Sequence, residues 1–424
     1  MARRFPGSVR NGELGFRFGE PLDADGDGHA DVAAGARFTL WHETQQNGTA
    51  TVWSGASGAP IREWDGEWPD GLFGHWVMPV PDLSGDGLAD VVIAAPHARV
   101  ADGIARGVLV ARSPKTGKDL WKREENESEN LGWDLTLAGD FDGDGRSDLF
   151  VGAPAEKTGR VYLLSGKDGS VLRTYSPGEE GGSFGWYVAL LDDLDGDGHA
   201  DLAVGGPSAL DVNGARVGGA WVVSSGSGKE LYHWRGTDPR GGFGGVVTRV
   251  ADLDGDGKGE IAVAAPATED QARTLSGAVY VYSSATGKEI RQWTGSQPGE
   301  LYGRMIIATG DLDGDGVEDI AIGAPAYRRD TADRVGRIEF RSGKSGAVLG
   351  ELIGDEADCW FGWHIRRASD PGGLGRPALL IGSLRHPVGE LPNAGVIDLY
   401  VLHSAKRGHA HGTTTRGTRR SDIK

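Results

Sequence analysis

The sequence predicts an all-β fold: a seven-bladed β-propeller of four-stranded antiparallel blades. Three observations predict it. A nine-residue acidic loop, D-x-D-G-D-G-x-x-D/E, recurs with its first aspartate at Asp23, Asp82, Asp140, Asp193, Asp252 and Asp311, at steps of 59, 58, 53, 59 and 59 residues. An apolar run such as VVIAAP or IAIGAP follows each loop and reads as a buried strand, because it is short and ends in Gly or Pro. A hydrophobic–glycine pair stands eight residues ahead of every loop: Leu14-Gly15, Phe73-Gly74, Leu131-Gly132, Phe184-Gly185, Phe243-Gly244, Tyr302-Gly303 and Phe361-Gly362. Repeats of this length, with room for about four strands, point to a propeller. One further step of 59 lands on Asp370, where Gly372, Leu374 and Ala378 replace the acids while the apolar strand survives. The pattern therefore counts seven repeats, six of them competent for metal.

Each unit reads in the same order. The hydrophobic–glycine pair opens a first strand, the acidic loop turns it, and the apolar run returns as the second. A variable connection leads to a third strand that begins at glycine (GRVYLLSG, GAVYVYSS). A tight turn such as ATGK then enters a fourth strand ending near an aromatic, Trp64, Trp234 or Trp293. The seventh unit has no fourth strand. The N-terminal Phe5-Pro-Gly-Ser-Val-Arg-Asn-Gly-Glu-Leu-Gly15 matches Trp293 to Gly303 at the same offset, so residues around 3–8 supply the missing strand. Closure of that kind removes two open sheet edges. The chain is thus expected to hold one domain, 1–403, and a basic tail, 404–424, too poor in apolar residues to fold.

The acidic loops carry the chemistry. Carboxylates at positions 1, 3, 5 and 9, with the backbone carbonyl of position 7, gather hard oxygens around one point, as calcium requires. The expected ligand sets are Asp23, Asp25, Asp27, His29 and Asp31; Asp82, Ser84, Asp86, Leu88 and Asp90; and Asp140, Asp142, Asp144, Arg146 and Asp148. They continue with Asp193, Asp195, Asp197, His199 and Asp201; Asp252, Asp254, Asp256, Lys258 and Glu260; and Asp311, Asp313, Asp315, Val317 and Asp319. The second loop should be weaker, since Ser84 replaces an acid. An EF-hand would place its last acid at position 12 between helices, and magnesium prefers to keep its waters. About six Ca²⁺ ions in structural roles are expected. They would bring the net charge of −17 to about −5, so the acidity is mostly ligand charge and nucleic acid is not a partner.

No run of 18 apolar residues is present, so no membrane span is expected. Cys359 is the single cysteine, which excludes an intrachain disulfide. The opening MARRFPGSVRNG lacks the apolar region of a signal peptide.

These motifs resemble the FG-GAP repeats of integrin α-subunit N-terminal propellers and their prokaryotic relatives, over roughly residues 3–402. The resemblance implies calcium in the first-to-second strand loops of one face, and a partner, protein or glycan, on the opposite face. It also implies an extracellular, cell-surface or periplasmic setting. Two departures stand out. The first six loops are competent here, whereas integrin propellers load only some later blades, and no leg domain or anchor follows. A monomeric propeller is the expectation, either standing alone or as one module of something larger. The residues after the landmark glycines, Phe16, His75, Trp133, Trp186, Gly245, Arg304 and Trp363, would ring one mouth of the channel. Integrin α propellers hold a basic residue of the β subunit in a comparable aromatic ring. Here the ring could take a partner's cation or a sugar, or pack as ordinary core, and Arg304 would weaken cation binding. The loops opposite the acidic turns offer further anchors: Trp41, His42, Trp68, His97, Tyr327, Arg328 and Arg329. His409 and His411 in the tail form a weak metal-binding pair. No G-x-S-x-G, HExxH or Cys/His pairing is present, so the expectation is a binding module and not an enzyme. The alternative is a polysaccharide lyase or hydrolase in which calcium assists substrate binding.

Overall fold

The computed structural model describes residues 1–38, 40–41, 45–99, 107–124, 130–155, 158–177, 182–239, 241–266, 276–330, 334–368 and 378–402. The projected seventh loop, His42 and the tail with His409 and His411 lie outside the described residues. All regular structure among the described residues is β, and it forms seven blades around a central channel.

Within each blade the chain runs from the channel outwards. Blade 2 pairs Trp76–Val80, Asp90–Ala95, Val108–Arg112 and Asp119–Glu124 in order, all antiparallel. Blade 3 repeats this with Asp134–Gly139, Asp148–Ala153, Arg160–Leu164 and Val171–Tyr175. Blades 4, 5 and 6 start from Tyr187–Leu190, Val246–Arg249 and Met305–Gly310. Blade 7 joins Phe361–Ala368, Ala378–Ser383 and Val396–Val401 to the N-terminal strand Arg3–Pro6, with Phe5 opposite Ile397. The closure read from the sequence is therefore the one observed.

The first blade departs from the four-strand expectation. Its sheet has three strands, Val32–Ala36, Thr49–Trp53 and Pro60–Asp65. Residues 16–22 occupy the channel position and make only isolated bridges, Phe18 to Val77 and Leu22 to Asp31. Pro21 has no N–H to donate to a ladder. Gly19 lies so close to blade 2 that a Cβ there would meet Pro79 Cδ at 2.8 Å. That close approach lets Phe18 pair with the neighbouring blade in place of its own.

Burial follows radial position. The second strands, sandwiched between blades, are buried throughout, which is why they read as continuous apolar runs and not as alternating ones. Fourth strands face solvent, and in Pro60–Asp65 only Trp64 is buried. An indole in this strand ties blades 1, 2 and 4 to the next. The indole Nε1 of Trp64 donates to Gly117 O at 3.3 Å, that of Trp121 to Gly166 O at 2.7 Å and that of Trp234 to Gly287 O at 2.9 Å. Each acceptor sits in the turn between the third and fourth strands of the following blade. At the ring closure Arg3 takes this role, its guanidinium donating to the carbonyls of Gly55 and Ala56. Replacing Trp121 with Phe keeps the packing but leaves the buried Gly166 carbonyl unpaired. The expected cost is about 1–2 kcal/mol, read as a lower urea midpoint at unchanged slope.

Candidate metal loops and channel mouth

The acidic loops are organised by their own carboxylates. The first aspartate accepts N–H groups from both loop glycines: in the sixth loop Asp311 Oδ1 from Gly314 at 2.7 Å and Oδ2 from Gly316 at 2.9 Å. Asp23, Asp82, Asp193 and Asp252 repeat the pair. The fifth position accepts from the seventh, as in Asp315 to Val317 N at 3.0 Å. Gly314 and Gly316 have φ of 79° and 91°, and a Cβ at either position would find no atom within 4 Å, so backbone conformation and not crowding demands glycine there. Carboxylate oxygens consequently converge within 4.8 Å in five loops: Asp23/Asp25/Asp27, Asp140/Asp142/Asp148, Asp193/Asp195/Asp197, Asp252/Asp254/Glu260 and Asp311/Asp313/Asp315. These clusters could hold a metal. The loop with Ser84 forms no such cluster among the described residues.

Two loop positions have duties the motif does not reveal. The ninth-position acid is buried and, in every loop but the second, brackets its blade. Asp31 Oδ2 accepts Ala24 N and Oδ1 accepts Gly55 N, each at 2.8 Å, tying the loop to the third-to-fourth turn. Asp319 does the same with Leu312 N and Gly343 N, and Glu260 with Leu253 N and Ser284 N. Burial first, then the neighbouring loop acids, push Asp31 and Asp201 up to about 6; Glu260 rises to about 7 from burial and Asp254. Unneutralised carboxylates this crowded fit a cation. The seventh-position side chain reaches back to the preceding blade: Arg146 Nε donates to Leu83 O at 2.8 Å, and Lys258 Nζ to Asp193 O at 2.9 Å. His199 stacks on Phe141 at 4.2 Å.

Inner strands begin at the face away from these loops, so the residue after each landmark glycine lies at the opposite mouth. There the ring expected from the sequence assembles as a chain of contacts. Trp363 packs on Phe16 with centroids 5.7 Å apart, Phe16 on His75 at 4.9 Å, His75 on Trp133 at 4.7 Å and Trp133 on Trp186 at 4.5 Å. Trp133, Trp186 and Trp363 are half-buried, whereas Phe16 and His75 are buried. Gly245 interrupts the ring, and Arg304 completes it by stacking on Trp363 with Cζ 4.0 Å from the ring centre. His97 stacks on Trp133 at 6.2 Å. Trp68, expected from the sequence to be an exposed anchor, is instead buried against Phe73, with Lys122 over its ring at 4.8 Å. Its neighbour Gly71 must pass close to Ala98, which pulls the loop inwards. Tyr327 is half-buried beneath the guanidinium of Arg337, and Arg329 bonds the Gly354 carbonyl.

One layer further in, the channel is plugged. Arg17 and Asp134, from blades on either side of blade 2, form a buried ion pair across it. Trp76 Nε1 donates to Asp134 Oδ1 at 2.7 Å, and Val188 N donates to Asp134 Oδ2 at 2.8 Å. The Tyr187 hydroxyl donates to Met305 Sδ at 3.3 Å, and the buried His364 faces Phe18 O through Nε2 at 3.1 Å. Burial, then Arg366 and Arg17, hold His364 neutral by lowering it well below the ordinary imidazole range. The sequence carries one signal of this layer: Arg17 and Asp134 stand two places after glycine, where the other repeats carry Trp, Tyr, Val, Met or His. Below the plug a cavity of about 440 Å³ opens towards the acidic loops, lined by Met78, Leu135, Thr136, Thr248, Ile307 and Arg366 among others.

A ring of blades with acidic hairpin loops at one end and a plugged axis defines a repeat propeller with metal-competent turns. The FG-GAP repeat family matches residues 131–164, and the FG-GAP-like repeat family matches 252–322. Integrin alpha-4 of Xenopus laevis is 34% identical over 201 residues, 44% of this chain and 19% of that protein. Integrin alpha-V of Gallus gallus is 29% identical over 253 residues, 53% of this chain and 23% of that protein. The alignments therefore span about a fifth of these curated relatives. The solved structure of Sqt1 from Saccharomyces cerevisiae superposes with a TM-score of 0.54 over 94% of this chain and 98% of that one, at 10% identity, a likeness of fold alone. Residues 131–164 and 252–322 thus carry FG-GAP-type repeats, and the propeller resembles those of integrin alpha subunits. No helix among the described residues is long and apolar enough to cross a membrane.

Proposed function

We propose that this propeller is a non-catalytic recognition module, stiffened by calcium in blades 1–6, that meets a protein or glycan partner on the face opposite the acidic loops. The observation that carries the reading is the unbroken aromatic run from Trp363 to Trp186 at the channel mouth, with its indoles half-exposed. Exposed aromatic surface at the centre of a rigid scaffold is where binding energy concentrates. The similarity to integrin alpha propellers supports an adhesion-type role.

Calcium belongs to the reading as structure. The converging oxygens of Asp311, Asp313 and Asp315, and their counterparts in the other loops, would hold the ion, and the ion's charge would neutralise them. Loops whose acids stay largely exposed suit the millimolar calcium found outside cells, and an extracellular or cell-surface setting goes with that. The test is direct. A partner captured with calcium present, from an extracellular-matrix extract or a glycan array, should lose about tenfold or more in affinity when Trp133 and Trp186 are both changed to Ala. Undiminished affinity, with melting unchanged, would remove the mouth from the binding surface.

A further inference from the structure

We propose that the mouth opposite the acidic loops is a carboxylate site, built to receive an aspartate or glutamate side chain of a partner protein against Arg304 and the indole N–H groups of Trp360 and Trp363. The proposal rests on the reading that this face meets the partner, and it names the chemistry met there. It also reverses the expectation of a partner's cation, because the cation is already in place.

Four observations converge. First, the aromatic faces are capped from within the chain. Arg304 lies 4.0 Å over Trp363, Arg37 lies 3.3 Å over Phe16 and Arg385 lies 4.3 Å over Trp360. An incoming ammonium would meet like charge where it needs π-density. Second, the charges do not balance. Glu13 serves both Arg37 at 3.2 Å and Arg385 at 3.9 Å, while Arg304 forms no ion pair among the described residues and feels the carboxylate of Asp134, already paired with Arg17, only at longer range. Third, donors are left over. The Nε1 atoms of Trp360 and Trp363 are buried without an acceptor among the described residues, although these rings pack only 5.0 Å apart beside Arg304. Buried donors of this kind carry a free-energy penalty that an arriving oxygen relieves. Fourth, the local potential is positive: burial and then the charges of Arg37 and Arg17 drive His75 well below the ordinary imidazole range. An excess of cations inside a chain of net charge −17 is a local feature, since the acids crowd the other face. A sugar acid would bring a carboxylate too, but it also needs bare ring faces, and three of them are covered.

The probes are a synthetic peptide rich in glutamate, its glutamine counterpart, a lysine-rich peptide and an oligogalacturonate, titrated calorimetrically into the calcium-loaded chain. The glutamate peptide should bind at least about tenfold more tightly than the glutamine peptide, and Arg304→Gln should erase that preference while melting stays put. Trp363→Phe, which keeps the ring and removes the N–H, should weaken binding less than Arg304→Gln but measurably. Equal affinity for the two peptides, preference for lysine abolished by Trp363→Ala, or binding of the oligouronate alone would each overturn the proposal. Should Arg304→Gln destabilise the fold, Arg304→Lys provides the second reading: charge is kept, so most of the preference must survive. A captured partner that is insensitive to Arg304→Gln yet weakened by Trp133→Ala and Trp186→Ala sinks the carboxylate site and leaves the recognition face standing. A partner whose footprint lies on the acidic loops sinks both.

Discussion

Chelation of calcium should lower the melting temperature by more than about 10 °C, the largest effect expected for any single manipulation of this protein. A ligand at a hundred times its Kd adds about 2.7 kcal/mol per site, and a closed ring sums several such sites into one cooperative unit. The repulsion released on chelation falls on the loop acids. Asp311, Asp313 and Asp315 bring oxygens within 4.8 Å of one another, and four other loops do likewise. Every loop but the second, where Pro114 offers no N–H, is also lashed to its own outer turn by the ninth-position acid. In blades 3 and 5 Arg146 or Lys258 adds a tie to the preceding blade. Loosening of the turns therefore propagates around the wheel. Differential scanning calorimetry in millimolar calcium and in EGTA makes the measurement, with magnesium as the control that should restore little. An unchanged curve would end the structural role. Ser84→Asp completes the second loop and should tighten calcium at the weakest of the six sites, read by calorimetric titration.

Asp134→Ala should cost about 3–5 kcal/mol, far more than a typical surface substitution, because it strands the Arg17 guanidinium in a dry channel. It also strands the Trp76 indole and the Val188 N–H, both of which donate to the same carboxylate. The pair is informative as a cycle. Arg17→Met combined with Asp134→Leu removes both charges and should recover much of the loss, since apolar replacement of a buried pair is often neutral or better. Chemical denaturation of the wild type, the two single variants and the double variant gives the coupling. A double variant no more stable than Asp134→Ala would show that the pair's hydrogen bonds, and not its charge, hold the axis.

Much of this protein is visible in its one-dimensional pattern. The loop period set the number of blades, the shared offset of Phe5 and Trp293 from their glycines set the closure, and the positive φ of Gly314 and Gly316 explains why the motif tolerates nothing else there. All of these are local or periodic requirements, and a repeat states a local requirement many times over. The sequence also set out the members of the ring at the mouth, because one register position in each repeat points to one place.

Tertiary structure alone decided what depends on contacts between repeats. Arg17 and Asp134 stand 117 residues apart and meet only because the blades close into a circle. The missing channel strand of blade 1 follows from Gly19 pressing on blade 2. The inward turn of Trp68 and the stacking of Arg304 on Trp363 likewise need a neighbour that no reading of a single repeat supplies. The pattern specifies each blade and its order. Curvature brings distant side chains into one low-dielectric axis, and there the charges of this chain acquire partners, or go without them.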